Sequence, residues 1–280
     1  MSTVVAYLGP EGTFTETALL EFHRRGSFGS GDIAKLSVES PHEALNAVRS
    51  GVARYACVAI ENSVDGPVTH TFDALADGQG VRIFAETELA IRFAVMVRPG
   101  LTASEVRTFT THPVARQQVR QWTDRVFPGA EFIPASSNSA AAKAVAEGRA
   151  DAAVAPYRAA EIFALDVIAE DVIDVPGART RFVVVGRITE PPKPTGHDRT
   201  AFVFTLPNRP GSLVSALTIF ADRGLDLSRI ESRPTKTEIG TYRFYVDVRG
   251  HVDEPDVREA FRELAQQVED VTFLGSWPAF

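Results

Sequence analysis

From Val4 to Arg187 the chain repeats one arrangement: a short apolar run, a glycine or polar cluster, then a helical pattern. Val4 to Leu8 leads through Gly9-Pro-Glu-Gly-Thr-Phe-Thr15 into a helical stretch ending near Arg25. Leu36 to Glu39 precedes a helix to Arg49, and Tyr55 to Ile60 precedes a polar turn and a helix from His70 to Ala76. A strand-rich segment, Val81 to Val97, then crosses into a second set: Thr108 to His112 with a helix from Pro113 to about Val126, Phe132-Ile133 with an Ala-rich helix to Gly148, and Asp151 to Ala155 with a helix from Tyr157 to Leu165. Alternation of this kind with short links predicts an α/β fold. Tyr55 to Ile60 is apolar throughout, which predicts a strand covered on both faces in a sheet that is at least partly parallel. Two such lobes around a cleft would explain why polar motifs end several separate strands.

The pattern changes after Thr189 to Arg199, a stretch with three prolines and no apolar periodicity. Ala201 to Leu206, a helix ending at Gly224, Leu227 to Ser232, Tyr242 to Val248, a helix from about Glu254 to Val268, and Val271 to Leu274 spell βαββαβ, a ferredoxin-like domain. The expected division is 1–187, a linker at 188–199, and 200–280. Helices on one face of the small sheet would leave its edge and loops for an identical partner or a small ligand.

Composition removes several classes. No apolar run reaches the roughly 18–20 residues of a membrane span, and the N-terminus enters a strand pattern without a basic segment, so no export signal is expected and a cytoplasmic location is. A formal net charge of −7 argues against a nucleic-acid partner. An anionic small molecule remains possible through backbone N–H groups, helix N-termini or a placed arginine. Cys57 is the single cysteine, so internal disulfides and cysteine metal clusters are excluded. The histidines are scattered, which disfavours a zinc site.

Three polar clusters are candidates for chemistry. In residues 176–187 a Pro-Gly turn leads to Thr180-Arg181-Phe182 and an apolar run of buried-strand length, placing a hydroxyl, a guanidinium and a ring at the mouth of a core strand. Glu61-Asn62-Ser63 ends another buried strand, the position where open α/β sheets bind ligands. A solvated turn capping the next helix fits those three residues equally well. The glycines of Gly9 to Thr15 would let a ligand approach N–H groups at Gly12 and Thr13. They lack dinucleotide-fingerprint spacing, and a tight turn capped by Thr13 or Thr15 is the plainer reading. Ser40-Pro41-His42-Glu43 is a capping box, which accounts for His42.

With these residues in order, the chain closely resembles the prephenate dehydratases that carry a C-terminal ACT regulatory domain. Gly9 to Thr15 matches their N-terminal signature. Glu61-Asn62-Ser63 with Gly66, Val68, Thr71 and Asp73 matches their Glu-Asn-Ser motif. Thr111-His112-Pro113 with Gln118 is similar to their Ser/Thr-His-Pro…Gln segment, Ser137-Asn138 with Ala140-Ala141 to their helix cap, and Thr180-Arg181-Phe182 to their catalytic triplet. Gly211-Ser-Leu-Val214 and Glu231-Ser-Arg-Pro234 resemble the two segments that bind the feedback inhibitor phenylalanine in relatives. Ala178, Ala59 and Val119 depart from a frequent Asn, Pro and Cys.

The resemblance implies a two-lobed, periplasmic-binding-protein-like catalytic domain plus an ACT domain. It implies conversion of prephenate to phenylpyruvate with loss of carbon dioxide and water, without cofactor or metal because aromatisation drives it. The implied donor to the departing hydroxyl is Thr180. Glu61 competes for the acid role if burial raises its pKa; otherwise Glu61, Asn62, Thr111 and Gln118 position the substrate. Arg181 would hold a substrate carboxylate or brace the loop, and Phe182 would form a cleft or core wall. Gly12, Thr13, Ser63, Ser137 and Asn138 complete the implied substrate contacts. Asn208, Gly211, Ser212, Leu213, Val214, Glu231, Ser232, Arg233 and Pro234 are the implied effector contacts, with a homodimer or homotetramer built through the small domains. An arogenate dehydratase, or a non-catalytic binder of a small dicarboxylate, fits the same residues.

Overall fold

Strand β3 (Tyr55–Asn62) is buried on both faces because it lies inside a sheet with helices on each side. The computed structural model describes residues 2–76, 80–187, 190–235 and 240–280. In the first lobe, β1 (Thr3–Leu8) runs parallel to β2 (Ile33–Val38) and to β3. Strand β11 (Arg179–Gly186) returns antiparallel between β3 and β5 (Arg82–Ala90), and the two-residue β4 (Gly66–Pro67) pairs with the end of β3. Helix α1 (Phe14–Arg24) packs Ala18, Leu19 and Phe22 against Cys57, Phe182 and Val184 on one face. Helices α2 (Pro41–Ser50) and α3 (Thr69–Ala76) pack Leu45, Val48, Phe72 and Leu75 against Val58, Val183 and Val185 on the other.

The second lobe is a five-stranded sheet in the order β10 (Asp166–Ala169), β6 (Ala94–Val97), β9 (Ala152–Ala155), β7 (Thr108–Thr111), β8 (Glu131–Pro134). Helices α4 (Pro113–Gln118) and α5 (Arg120–Val126) cover one face, α6 (Asn138–Ala146) and α7 (Tyr157–Phe163) the other. The single helix expected from Pro113 to Val126 is two, broken at Val119 (φ −126°, ψ 14°). A distant loop causes the break. Asp174 donates its N–H to the Gln118 carbonyl at 2.7 Å, and its carboxylate accepts from the N–H groups of Gln121 and Trp122 at 2.8 and 3.2 Å. It thereby caps the end of α4 and the start of α5.

Ile188 and Thr189, at the start of the expected linker, lie outside the described residues. At its other end, Asp198 and Arg199 already belong to β12 (Asp198–Thr205), because Asp198 closes a turn on the N–H groups of Thr195 and Gly196 at 2.7 and 3.0 Å. The small domain continues with α8 (Ser212–Ala221), β13 (Leu227–Pro234), β14 (Tyr242–Arg249), α9 (Pro255–Gln267) and β15 (Asp270–Pro278). The antiparallel order β13-β14-β12-β15 is the ferredoxin-like arrangement. Helices α8 and α9 cover one face through Phe220, Val257 and Leu264.

The expectation of a free edge on this sheet needs correction at β15. The sheet's second face packs on the first lobe, with Ala201, Val203, Tyr245 and Trp277 in one core with Phe72 and Ile83. Tyr245 Oη donates to the Phe72 carbonyl at 2.9 Å. The β15 edge is occupied too, running parallel beside β5 with Gly275 opposite Ile83, so among the described residues β13 is the strand left at an edge there. No described helix is long and apolar enough to cross a membrane.

The seam between β15 and β5 depends on a missing side chain. Gly275 adopts φ +144°, and a Cβ there would collide with the Ile83 carbonyl oxygen. Gly275→Ala is expected to lower stability by about 1–3 kcal/mol, read as a fall in midpoint in urea with unchanged slope.

Candidate active site

Neighbours in a strand point to opposite faces, and the triplet on β11 uses this. Arg181 shares a face with Val183 and Val185, toward the small domain, while Thr180 shares the α1 face with Phe182 and Val184. A bulge in β3 matches the partners to them. Arg181 is opposite Glu61 and Phe182 opposite Ala59, so Ile60 is an extra residue. The extra residue turns Glu61 to the Arg181 side and Asn62 to the Thr180 side.

Asn62 and Thr180 form a directed pair. Asn62 Oδ1 accepts from the N–H groups of Val64 and Asp65 at 2.8 and 3.0 Å, which fixes the amide orientation. Its Nδ2 donates to Thr180 Oγ1 at 2.9 Å. The threonine oxygen is thus an acceptor in this bond and its own proton is left to donate elsewhere. The preceding loop is ordered although Ala178 has no polar side chain: its carbonyl accepts from Ile91 N–H at 2.8 Å, and Arg179 N–H donates to Ser63 Oγ at 2.9 Å. Ser63 is therefore a clasp between β3 and β11.

Between the lobes lies a cavity of about 830 Å³. Thr13, Phe14, Thr15, Ser37 and Glu39 line it from the first lobe, and His112, Ser137 and Asn138 from the second. Thr180 and Asn62 are not in its lining; they lie on the sheet face over which α1 packs. Thr13 caps α1, its Oγ1 accepting from Glu16 N–H at 3.3 Å, and Ser137 caps α6 through Ala140 N–H at 3.0 Å. Asn138 Oδ1 accepts from His112 N–H at 3.2 Å. Thr111, fully buried behind Asn138, donates its hydroxyl proton to the Val154 carbonyl at 2.6 Å.

Gly12 and Gln118 both make contacts between the lobes. Gly12 N–H donates to Glu16 Oε2 at 2.7 Å. Its lack of a Cβ (φ +82°) lets Ala159 and Ser139 of the second lobe approach closely. Gln118 is a latch between lobes, with Nε2 donating to Asp65 Oδ2 at 2.5 Å. Arg158 to Glu16 (3.2 Å) and Ser139 Oγ to the Glu11 carbonyl are the others. Sequence reading assigned no role to His112, which lines the cavity. Its Nδ1 accepts from Val114 N–H at 3.3 Å and burial lowers its pKa, so it is a neutral imidazole with its proton on Nε2. The Pro directly after it, which starts α4 and leaves His112 as the cap, was the available signal.

Arg181 is enclosed in ion pairs. At 5% exposure it bonds Glu61 Oε2 (3.0 Å), Glu86 Oε2 (3.1 Å) and Asp247 Oδ2 (2.9 Å). Arg229 holds Asp247 with two bonds of 2.6 and 2.9 Å, and Arg199 lies 3.2 Å from Glu86. Trp277 Nε1 and Phe280 N–H also donate to Glu86, at 3.0 and 3.1 Å. Glu61 is 42% exposed, so the burial on which an acid role would rest is absent. Phe182 is core, 1% exposed. Among the described residues no cluster of His, Cys, Asp or Glu is arranged to hold a metal ion.

The implied effector segments lie at the same end of the small sheet, where Thr205 and Arg233 both pair with Arg243. Gly211 (φ +88°) starts α8 and, with Ser212, lines a cavity of about 370 Å³. Asn208, Leu213 and Val214 are not in that lining, nor are Glu231, Ser232, Arg233 and Pro234 of β13. Arg233 Nη2 instead reaches Asp73 of α3 at 3.5 Å.

A two-lobed α/β body with polar groups gathered at the lobe contact, carrying a ferredoxin-like domain, defines a cleft enzyme with a regulatory-type module. The prephenate dehydratase family matches residues 5–190 and the ACT domain residues 200–266. The chain belongs to the prephenate dehydratase family. A prephenate dehydratase of Corynebacterium glutamicum is 57% identical over 277 residues, spanning 99% of this chain and 88% of that protein. A crystal structure of prephenate dehydratase from Arthrobacter aurescens in complex with L-Phe is 39% identical, with TM-score 0.92 over 99% of this chain and 90% of that one. A structure described as a novel type of quorum quenching acylase is 29% identical, with TM-score 0.86 over 99% and 98%.

Two outcomes are expected. Asn62→Asp keeps the acceptor for Val64 and Asp65 but turns the donor at Thr180 into an acceptor, drawing the threonine proton toward itself. Turnover should fall about 100-fold with the thermal midpoint little changed. Burial raises the Asp247 pKa, but the Arg229 and Arg181 guanidiniums outweigh it and bring it to about 2 from 3.8. A depressed folded pKa stabilises above the unfolded value, and that stability is lost as pH falls through the folded value. Urea midpoints should therefore drop between pH 4 and 2, by roughly 2.5 kcal/mol from this group.

Proposed function

We propose that the cleft converts prephenate to phenylpyruvate, with Thr180 as donor to the departing hydroxyl. The Asn62–Thr180 hydrogen bond carries the assignment, because its direction leaves the threonine proton for an acceptor. The C1–carboxylate bond breaks as carbon dioxide leaves, its electron pair enters the ring, and the C4–oxygen bond breaks to release hydroxide. Hydroxide is a poor leaving group, so the barrier lies in the charge gathering on that oxygen. A threonine hydroxyl is too weak an acid to give up its proton at neutral pH. A hydrogen bond that strengthens as charge develops still contributes about 3–4 kcal/mol in a preorganised site. His112 Nε2–H, Asn138 and Ser137 would orient the substrate from the second lobe, and closure of the lobes would hold it against Thr180.

Phenylalanine is the effector in this reading, supported by the ACT domain and by the L-Phe complex of the Arthrobacter aurescens relative. Its contacts would be Asn208, Gly211, Ser212, Leu213 and Val214 with Glu231, Ser232, Arg233 and Pro234. Inhibition requires unequal affinity for two arrangements of the chain. We also assign 1–187 to catalysis, 188–199 to a linker and 200–280 to regulation, with homodimers or homotetramers built through the small domains in the cytoplasm; light scattering measures the assembly.

Purified protein should release phenylpyruvate from prephenate, and phenylalanine should slow it. Thr180→Val should lose about 100- to 1,000-fold in kcat with KM nearly unchanged, and Thr180→Ser should keep most activity. Full activity in Thr180→Val would sink the assignment, and faster turnover of arogenate than prephenate would move the substrate to its amino analogue.

A further inference from the structure

Residue 181 sits beside the donor but faces away from it, so its role must run through the strand. We propose that Asp247 is a positioning residue for the dehydration: from the small domain it holds Arg181 and, through β11, the Thr180 hydroxyl. The inference rests on the functional reading above.

Asp247 Oδ2 accepts from Arg181 Nη2 at 2.9 Å, and the carboxylate is 1% exposed. Arg181 Nη2 and Nε also bond Glu61 Oε2, at 3.0 and 3.2 Å, while Thr180 and Asn62 pair directly in the ladder. Each end of the catalytic hydrogen bond is thus one residue from a member of the Asp247–Arg181–Glu61 chain: Thr180 beside Arg181, Asn62 beside Glu61. The chain crosses the strand pair at the point where the Ile60 bulge interrupts regular pairing, where the backbone has least support from its own ladder. Side chains from another domain supply it. Asp247 itself is anchored by β14 and by Arg229, both of the small domain. A displacement of that domain relative to the first lobe therefore acts on Arg181, and a shift of about 1 Å in a reacting group changes rates by as much as 100-fold.

Asp247→Asn tests this. The amide oxygen can still accept from Arg181 while the NH2 faces Arg229 Nη2, so the Arg181 bond is weakened by loss of the negative charge without loss of volume. Full-length protein assayed with prephenate should show kcat lowered about 10- to 100-fold and KM within about twofold. The control is Tyr245→Phe, which removes the donor to the Phe72 carbonyl at the same seam and leaves the Arg181 bond. It should shift the thermal midpoint by a similar amount yet keep kcat within about twofold. If Asp247→Asn does not fold, the charge-balanced double variant D247N/R229Q carries the same expected loss. Wild-type kcat in the Asp247 variant, or equal loss of kcat in it and in Tyr245→Phe, would overturn the proposal and leave the functional reading standing. Absence of prephenate turnover in the wild type would overturn both.

Discussion

Two carboxylates, Asp247 and Glu86, are almost wholly removed from water, and neither can be left there without cations. Arg181 bonds both and Glu61 as well. This one guanidinium ties together β3, β5 and β11 of the first lobe and β14 of the small domain. Through Glu86 it also meets the C-terminal residues Trp277 and Phe280. Hydrophobic contact between Phe72, Tyr245 and Trp277 closes the same seam but is non-directional. The ion cluster adds what apolar packing lacks, a fixed register between the two domains.

That register explains why some of the site was legible in the chain and some was not. The hydroxyl of Thr180 was legible because a polar residue at the mouth of an apolar strand has few structural reasons to be there. Asn62 was left open, because a solvated turn fitted Glu61-Asn62-Ser63 equally well, and its bond to Thr180 appears only when β3 pairs with β11. Arg181 left clamp and brace open, since its deciding partners, Glu86 and Asp247, stand 95 and 66 residues away. Both sit in strands whose local pattern announces nothing about a partner. The Ile60 bulge was equally silent: Ile60 continues an apolar run, and only pairing with β11 exposes it as the extra residue. The break at Val119 belongs with these, being imposed by Asp174 from outside the helix. Local periodicity gave the elements and their order. Long-range polar pairing decided what each functional side chain faces.

The contacts between lobes follow the same division. Gly12 makes room for the second lobe, with Glu16 taking its N–H. Gln118 meets Asp65, whose own N–H helps orient Asn62. Residues that look like ligand contacts in one dimension thus also hold the lobes against each other. The polar groups left facing the cavity, His112, Ser137 and Asn138, come from the ends of β7 and β8 and the start of α6, where a cleft between open sheets is normally furnished.

Fold alone does not select the chemistry, as a structure with TM-score 0.86 to this chain and described as an acylase illustrates. An acyl-transfer enzyme needs a nucleophile with a base to remove its proton. Thr180 is built the other way round. Its bonded neighbour is an amide that donates to the hydroxyl oxygen, with Asn62 held in that orientation by two backbone N–H groups. The carboxylate that could have served as a base, Glu61, is turned by the bulge to the opposite side and paired with Arg181. A hydroxyl whose lone pair is engaged and whose proton is free is poor at attack and suited to donation. Donation to a departing oxygen is the task that dehydration sets.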